Sequence, residues 1–521
     1  MSKKHECLCV CPPSPGLEQK IHSTKQKILN EAGFEDIDEI DILDMRTYTL
    51  ITERPRKTRA HDHSIGAEKA AVVGTKKAIV LLVDFADKTA GTNQNHYNDM
   101  LFSQGSYATG SMRDYYKEVS YGALNVIGAV KGQGGPTNGW FRAPKSRAYY
   151  TDGGFGFNAY PKNAQKCVED VIDLAQPFVN FSQYDNDGDG FVEALIVICA
   201  GTGGEVSGNG NDFWSHKWGI TPKTVDGVKI NKYFMAPEDG KVGVMAHELG
   251  HLLCGLPDLY DTDGSSSGTG RWDLMAGGSW NNAGNTPAHP TAWCKVTCGW
   301  VNPTVVMNSA QNITLKPYNV NKDIVKVPIG AATSKEYFLL SNRQKSGFDA
   351  HIPGEGMIIE HIDDNKGNNT DENHYLVDIE QADGNRDLNN KNNSGDATDP
   401  FPLAGNTAFI NTSNPSSKTY ANADSKVEVT NIARSGNNIT ANVKSGNASS
   451  WTTNKQVLRT FASPHSKNAW AYIDSVGWRK IDQLTTDGVT NVFAILNEAR
   501  ANNKTVNAKV DNDSIDIVYL N

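Results

Sequence analysis

Three things are scarce in this 521-residue chain. Cysteine occurs only eight times, which excludes a disulfide-built scaffold at this length. Basic charge is outnumbered: 50 Lys and Arg stand against 59 Asp and Glu, a formal net charge of −9. Such a balance disfavours a nucleic-acid backbone or an anionic membrane as the main partner, since both select a basic face. Long apolar runs are also missing, and none approaches the roughly 18 residues of a membrane-spanning helix. Lys3 and Lys4 precede only the short run Leu8 to Val10, too little for the core of a signal peptide. Hydrophobic residues make up 38%, enough for packed cores, and the length suits about three domains.

The chain divides by texture. Residues 1–75 are polar, carry one expected helix (Gly16 to Ala32) and end in the basic stretch Arg54 to Arg59. They read as a leader, propeptide-like and outside the main core. Lys77 to Val83 is a continuous apolar run, the mark of a buried central strand. A helix over Ser111 to Val119, a strand over Gly122 to Ile127, a helix over Ala164 to Ala175 and an apolar run Glu193 to Ala200 follow. Interleaved strands and helices predict an α+β catalytic domain over 76–302, with a mixed sheet. Over 303–444, short alternating strands and Asn/Gly/Asp-rich loops predict a β-sandwich-like region packed on that domain. After the linker-like Ser445 to Ser450, residues 451–521 read as a small α+β accessory domain.

The sharpest motif is His247-Glu248-Leu249-Gly250-His251. Residues four apart share one helix face, so both imidazoles can reach one Zn²⁺ while Glu248 faces the water to be activated. Zinc makes that water acidic and the carboxylate takes its proton, acting as general base and then acid. Val242, Val244, Met245, Leu249, Leu252 and Leu253 make the flanks those of a buried helix.

Gly255-Leu256-Pro257-Asp258-Leu259-Tyr260-Asp261 follows, then Trp272 to Trp280. Here the chain resembles the metzincins and, within them, the immune inhibitor A family of bacterial metalloproteases. The resemblance extends through Gly110 to Tyr116, Trp214 to Trp218 and Gly347 to Ala350. It implies a metzincin-like catalytic domain. By position it assigns the turn to Gly255, the third zinc ligand to Asp258 in place of the usual His, and the methionine turn to Met275. It also implies protein or peptide substrates and secretion to the extracellular space, acting as a monomer.

One departure stands out. The family pattern has two residues between the second His and the Gly; this chain has Leu252, Leu253 and Cys254. An extra helical residue adds about 1.5 Å and 100°, so a bulge or displaced turn must absorb it. Three readings of Cys254 stay open: a thiolate ligand, a redox or inhibitory thiol, or a small buried apolar residue, the favoured one. Asp261 is a fallback third ligand.

Asp185-Asn186-Asp187-Gly188-Asp189-Gly190-Phe191-Val192-Glu193 sets carboxylates at alternate positions before a Gly, the pattern of a loop that wraps Ca²⁺. Ile196 at the twelfth position departs from a full EF-hand, and Glu193 would supply a late ligand. A weaker acidic cluster comprises Asp378, Asp383, Asp387, Asp396 and Asp399. His216 and His289 are expected to be structural rather than oxyanion-stabilising, and Cys294 and Cys298 to be core. The leader string Cys7-Leu8-Cys9-Val10-Cys11 is expected at the surface or in a disulfide; a latency-conferring thiolate on the zinc is the alternative. Two rival functions remain: an adhesion or glycan-binding protein on a degenerate protease scaffold, and a zincin whose third ligand is a Glu on a later helix.

Overall fold

A computed structural model describes residues 8–21, 71–133, 139–446, 450–464, 468–481, 486–510 and 514–521. Cys7, most of the helix expected to Ala32 and the basic stretch Arg54 to Arg59 lie outside these residues; 15–21 are helical.

The apolar run becomes strand β2 of the first sheet. Its strands are β1 (Cys9–Val10), β2 (Gly74–Asp84), β3 (Leu124–Lys131), β4 (Phe141–Arg142), β5 (Leu195–Cys199), β6 (His216–Val225) and β7 (Val228–Pro237), in the order β1-β6-β7-β5-β2-β3, with β4 also on β2. β3, β2, β5 and β7 are mutually parallel. A parallel sheet must be covered on both faces, which is why Ala78 to Val83 and Leu195 to Cys199 are wholly apolar and buried. Helices α1 (Gln94–Phe102) and α2 (Met112–Val119) form the crossover from β2 to β3, and α3 (Ala164–Ala175) lies in the return to β5. Because right-handed crossovers that step in opposite directions lie on opposite faces, α3 covers the face away from α1 and α2. β6 and β7 form an antiparallel hairpin, so the sheet is mixed as expected.

The resemblance motifs acquire physical roles here. Ser111 and Asp114 form a reciprocal capping box at the start of α2. Tyr116 Oη donates to the Ala246 carbonyl (2.6 Å) and Tyr115 Oη to that of Ala288 (2.7 Å). Helix α2 thus supports α4 (Val242–Leu249), which carries the histidine motif. Asp349 is fully buried and accepts two hydrogen bonds from Arg343, at 2.8 and 2.7 Å, and one from the His289 amide.

Beyond residue 303, two sheets share one apolar core that includes Leu315, Val327, Phe338, Met357, Val429 and Val443. One has five strands ordered Val377–Ile379, Gly356–Asp363, Glu336–Arg343, Val325–Pro328, Thr304–Val305; the other has Val427–Ser435, Asn438–Ser445 and Ser309–Leu315. Gly356–Asp363 is buried along its whole length and Glu336–Arg343 at all but its first residue, so these central strands lack a solvent face. The tail is a closed five-stranded barrel, with helix Thr486–Ala501 placing Val489, Leu496 and Ala499 in its core.

A pH dependence follows from His361 in the five-stranded sheet. Its ring nitrogens lie 3.1 Å from both Glu336 and Glu380, and the Tyr420 ring stacks on it at 4.0 Å. Burial opposes charge on the imidazole, but the two carboxylates outweigh it and raise its pKa to about 9. The folded value lies above the unfolded one, about 6.5. The stabilisation is therefore fully present below that pH and is lost as pH rises through about 9. Thermal melts are expected to fall across this window, and His361→Gln to flatten the fall; an unchanged slope would remove His361 as its cause.

Candidate metal centre

Helix α4 holds the site from below. His247 and Glu248 are buried on its last turn, and His251 one turn on. His247 Nδ1 lies 3.0 Å from the Leu274 carbonyl and His251 Nδ1 2.7 Å from that of Leu256. Both contacts require a proton on Nδ1, which leaves a lone pair on each Nε2. Those two Nε2 atoms face each other at 3.0 Å. Asp258 Oδ1 lies 3.3 Å from the first and 3.1 Å from the second, with no hydrogen-bond partner of its own. Three electron-rich atoms converging in a buried space repel one another unless a cation lies between them. Ligands about 2.0–2.1 Å from a tetrahedral Zn²⁺ stand roughly 3.3 Å apart, close to these separations.

Burial disfavours charge on His251, yet the facing Cys9 and Asp258 outweigh it and raise its pKa. Asp258 is likewise penalised by burial but held below the usual carboxylate range by His251 and His247. Glu248 has neither carboxylate oxygen hydrogen-bonded. Burial first, then the charges of Asp258, Cys9 and Glu205, push its pKa up.

The extra residue before the turn is absorbed as a bulge. Gly250–Cys254 is wound as a π-turn, which accommodates one more residue than an α-turn. Gly255 then closes it in the left-handed conformation, φ 55°, a backbone that glycine adopts without steric cost. Its amide bonds the His251 carbonyl, and that of Leu256 bonds the Gly250 carbonyl. The added length is spent within the turn, and Asp258 still reaches both imidazoles. Met275 is fully buried beneath. A Cβ on Gly250 would sit 2.9 Å from its sulfur, so the thioether lies directly against the motif. The Met275 carbonyl accepts the Leu259 amide, tying the turn to the arm that bears Asp258.

Other expected residues fall into place or away. Cys254 joins the main apolar core. Asp261 accepts bonds from Ser265 and Ser266 and groups with Asp263 and Glu372, not with the histidines. His216 is held by the Trp214 carbonyl and Tyr233, and His289 by Glu118 and Lys295; both are structural. Cys294 and Cys298 are core. Asp185, Asp187, Asp189 and Glu193 bring ligand atoms within 4.8 Å of one another. Their loop is clamped to β2 through Asn186, whose side chain bonds both the amide and the carbonyl of Lys77. Of the weaker acidic cluster, Asp383, Asp387 and Asp396 converge; Asp378 bonds Asn389, and Asp399 bonds the Trp272 indole.

The leader is where expectation and structure part. Cys9, Val10 and Cys11 are buried rather than superficial, and no described cysteine is in a disulfide. β1 pairs antiparallel with β6, Cys9 opposite Lys217 and Val10 opposite His216. Ligand atoms of Cys9, His251 and Asp258 lie within 4.8 Å of one another. The reason is backbone pairing with an open sheet edge, which hydropathy does not register. The Leu274 and Leu256 carbonyls also escaped sequence reasoning, because they act through backbone atoms.

A histidine pair and a carboxylate thus converge in one buried group whose donor chemistry suits a metal ion. Residues 66–303 match the family model described as "Immune inhibitor A peptidase M6, catalytic domain". The chain is 32% identical over 326 residues to "Immune inhibitor A" of Bacillus thuringiensis subsp. alesti, a match covering 52% of this chain and 44% of that protein. It is 31% identical over 298 residues to "Pre-pro-metalloprotease PrtV" of Vibrio cholerae serotype O1, covering 46% of this chain and 31% of the relative. The matched part thus spans less than half the length of either relative. Among the described residues, no helix is long and apolar enough to cross a membrane.

Proposed function

We propose that this chain is a zinc endopeptidase of metzincin type, in which His247, His251 and Asp258 hold Zn²⁺ and Glu248 is the general base. The observation that carries the reading is the meeting of two Nε2 lone pairs and an unpartnered carboxylate oxygen in a buried space. When bound, zinc would polarise a scissile carbonyl and acidify water. Glu248, whose carboxylate has no other hydrogen-bond partner, is placed to take a proton from water and deliver it to the leaving amine. Met275 and the Leu274 and Leu256 carbonyls position the imidazoles.

The substrates are proteins or peptides, and the protein is exported. The name of the Vibrio relative, a pre-pro-metalloprotease, supports reading residues 1–75 as a pro-segment ahead of a catalytic domain to 302, a β-rich domain to 444 and an accessory domain from 451. The test is metal analysis together with casein hydrolysis, before and after limited proteolysis. One zinc per chain, and hydrolysis lost on chelation and restored by zinc, is the expected result. Chelator-insensitive hydrolysis would overturn the reading.

The Asp185–Glu193 loop is proposed as a structural calcium site. Gly188 and Gly190 amides hold Asp185, the Asn186 amide holds Glu193, and Glu193 Oε1 is buried without a partner. Calcium at a hundredfold above its dissociation constant is expected to stabilise the fold by about 2.7 kcal/mol. A melting temperature that rises with calcium in the parent, and less in Asp187→Asn, would bear this out; a calcium-independent melt would not.

A further inference from the structure

We propose that Cys9 is a further ligand of the catalytic metal and that the segment around it is a strap that keeps the enzyme latent. The proposal rests on the zinc reading above. Cys9 is 7% exposed and its sulfur lies in one group with the His251 and Asp258 ligand atoms. The nearby Glu248 carboxylate, fully buried and without hydrogen-bond partners, marks where water and a scissile bond must come. The thiol sits in the same space.

The backbone around Cys9 is held as a bound peptide is held. Beyond the two-residue pairing of β1 with β6, the Cys11 amide bonds the Ser215 carbonyl (3.0 Å). Three successive carbonyls each receive a side-chain donor from a different segment: Val10 from Tyr260 Oη at 2.8 Å, Cys11 from Trp214 Nε1 at 2.7 Å, and Pro12 from Trp280 Nε1 at 2.9 Å. Tyr260 follows the Asp258 arm, Trp214 precedes β6, and Trp280 follows the methionine turn, so the strap spans the walls of the centre. Pro12 and Pro13 have no amide hydrogen to satisfy, and the ladder ends there. Val10 and Leu17 pack with Phe155, Phe157 and Trp214 in a separate apolar cluster. An extended segment added to a sheet edge, anchored by main-chain bonds and one apolar pocket, is also how an extended peptide substrate would bind. The strap and a substrate therefore compete for β6, and the sulfur occupies the position that must stay open for catalysis.

In the coordinating step the Cys9 S–H bond is broken, its proton passes to solvent, and the sulfur lone pair binds the metal. Cys11, two residues on, lies in the main core instead and serves as the control.

The test uses the full chain loaded with Co²⁺. A thiolate-to-cobalt charge-transfer absorption is expected in the parent and in Cys11→Ala, and is expected to be lost in Cys9→Ser. A second measurement needs no variant. Iodoacetamide should alkylate Cys9 of the metal-loaded parent at least about tenfold more slowly than that of the chelator-stripped parent, mapped by mass. Casein hydrolysis by zinc-loaded Cys9→Ser should exceed that of the uncleaved parent by at least about tenfold. If cobalt binds but the absorption survives in Cys9→Ser, or Cys9 labels equally with and without metal, the strap proposal falls and the zinc reading stands. If the parent binds no metal, the zinc reading itself falls.

Discussion

Replacing Glu248 by Gln is expected to cut casein hydrolysis by about 10²- to 10⁴-fold while zinc stays bound one per chain. The substitution keeps shape and volume and removes only the capacity to accept and return a proton. Glu248 suits this role because its oxygens are committed to nothing else. A buried carboxylate without partners is costly to a fold, so its retention on the helix face that bears the two imidazoles indicates a partner supplied at the moment of reaction. The experiment has two informative failures. Loss of zinc in Glu248→Gln would make the residue a ligand, and unchanged hydrolysis would remove Glu248 as the general base; a parent that binds zinc but hydrolyses nothing would return the scaffold to the adhesion or glycan-binding alternative.

Asp258→Asn is expected to weaken zinc binding by at least about 100-fold, more than the loss of a group that merely orients a ligand, as read by competitive chelator titration. The amide is nearly isosteric but carries no negative charge to offset the cation. Asp261→Asn is the matched control. That side chain is satisfied by Ser265, Ser266 and the Asp263 amide, and its loss should leave zinc in place. Zinc retained in Asp258→Asn but lost on changing a distant glutamate would favour the other zincin arrangement.

Much of the centre was legible because its chemistry is local. His247 and His251 are four residues apart on one helix, with Glu248 beside the first, and period alone brings the imidazoles together. Asp258 was reached only through resemblance. The insertion at Cys254 put its position in question, since a rotation of about 100° would point the arm elsewhere. The π-turn over Gly250–Cys254 resolves this, a backbone hydrogen-bond choice that no side-chain pattern encodes. Cys254 itself is the buried residue it was favoured to be. The alternation of carboxylates in the Asp185 loop likewise produced a converging group, because a tight loop folds on itself within nine residues.

The leader shows the opposite case. Its polar composition marked it as lying outside the core, yet Cys11 belongs to the main apolar cluster and Val10 to a second one. Composition averages over a segment, whereas a few residues suffice to add a strand to an open edge.

By itself, the sequence determined an acidic α+β chain with no apolar run long enough to span a membrane, a helix with two histidines on one face, an acidic loop and a β-rich region beyond residue 303. Each follows from spacing or periodicity over a short stretch. Tertiary structure alone decided that Cys9, more than 200 residues upstream, meets His251 and Asp258, that Tyr260, Trp214 and Trp280 hold the backbone just after it, and that Asp349 and Arg343 pair in the interior. Those contacts join residues distant along the chain. They depend on how sheet edges, loops and helices are brought together, and single-chain periodicity carries no record of that.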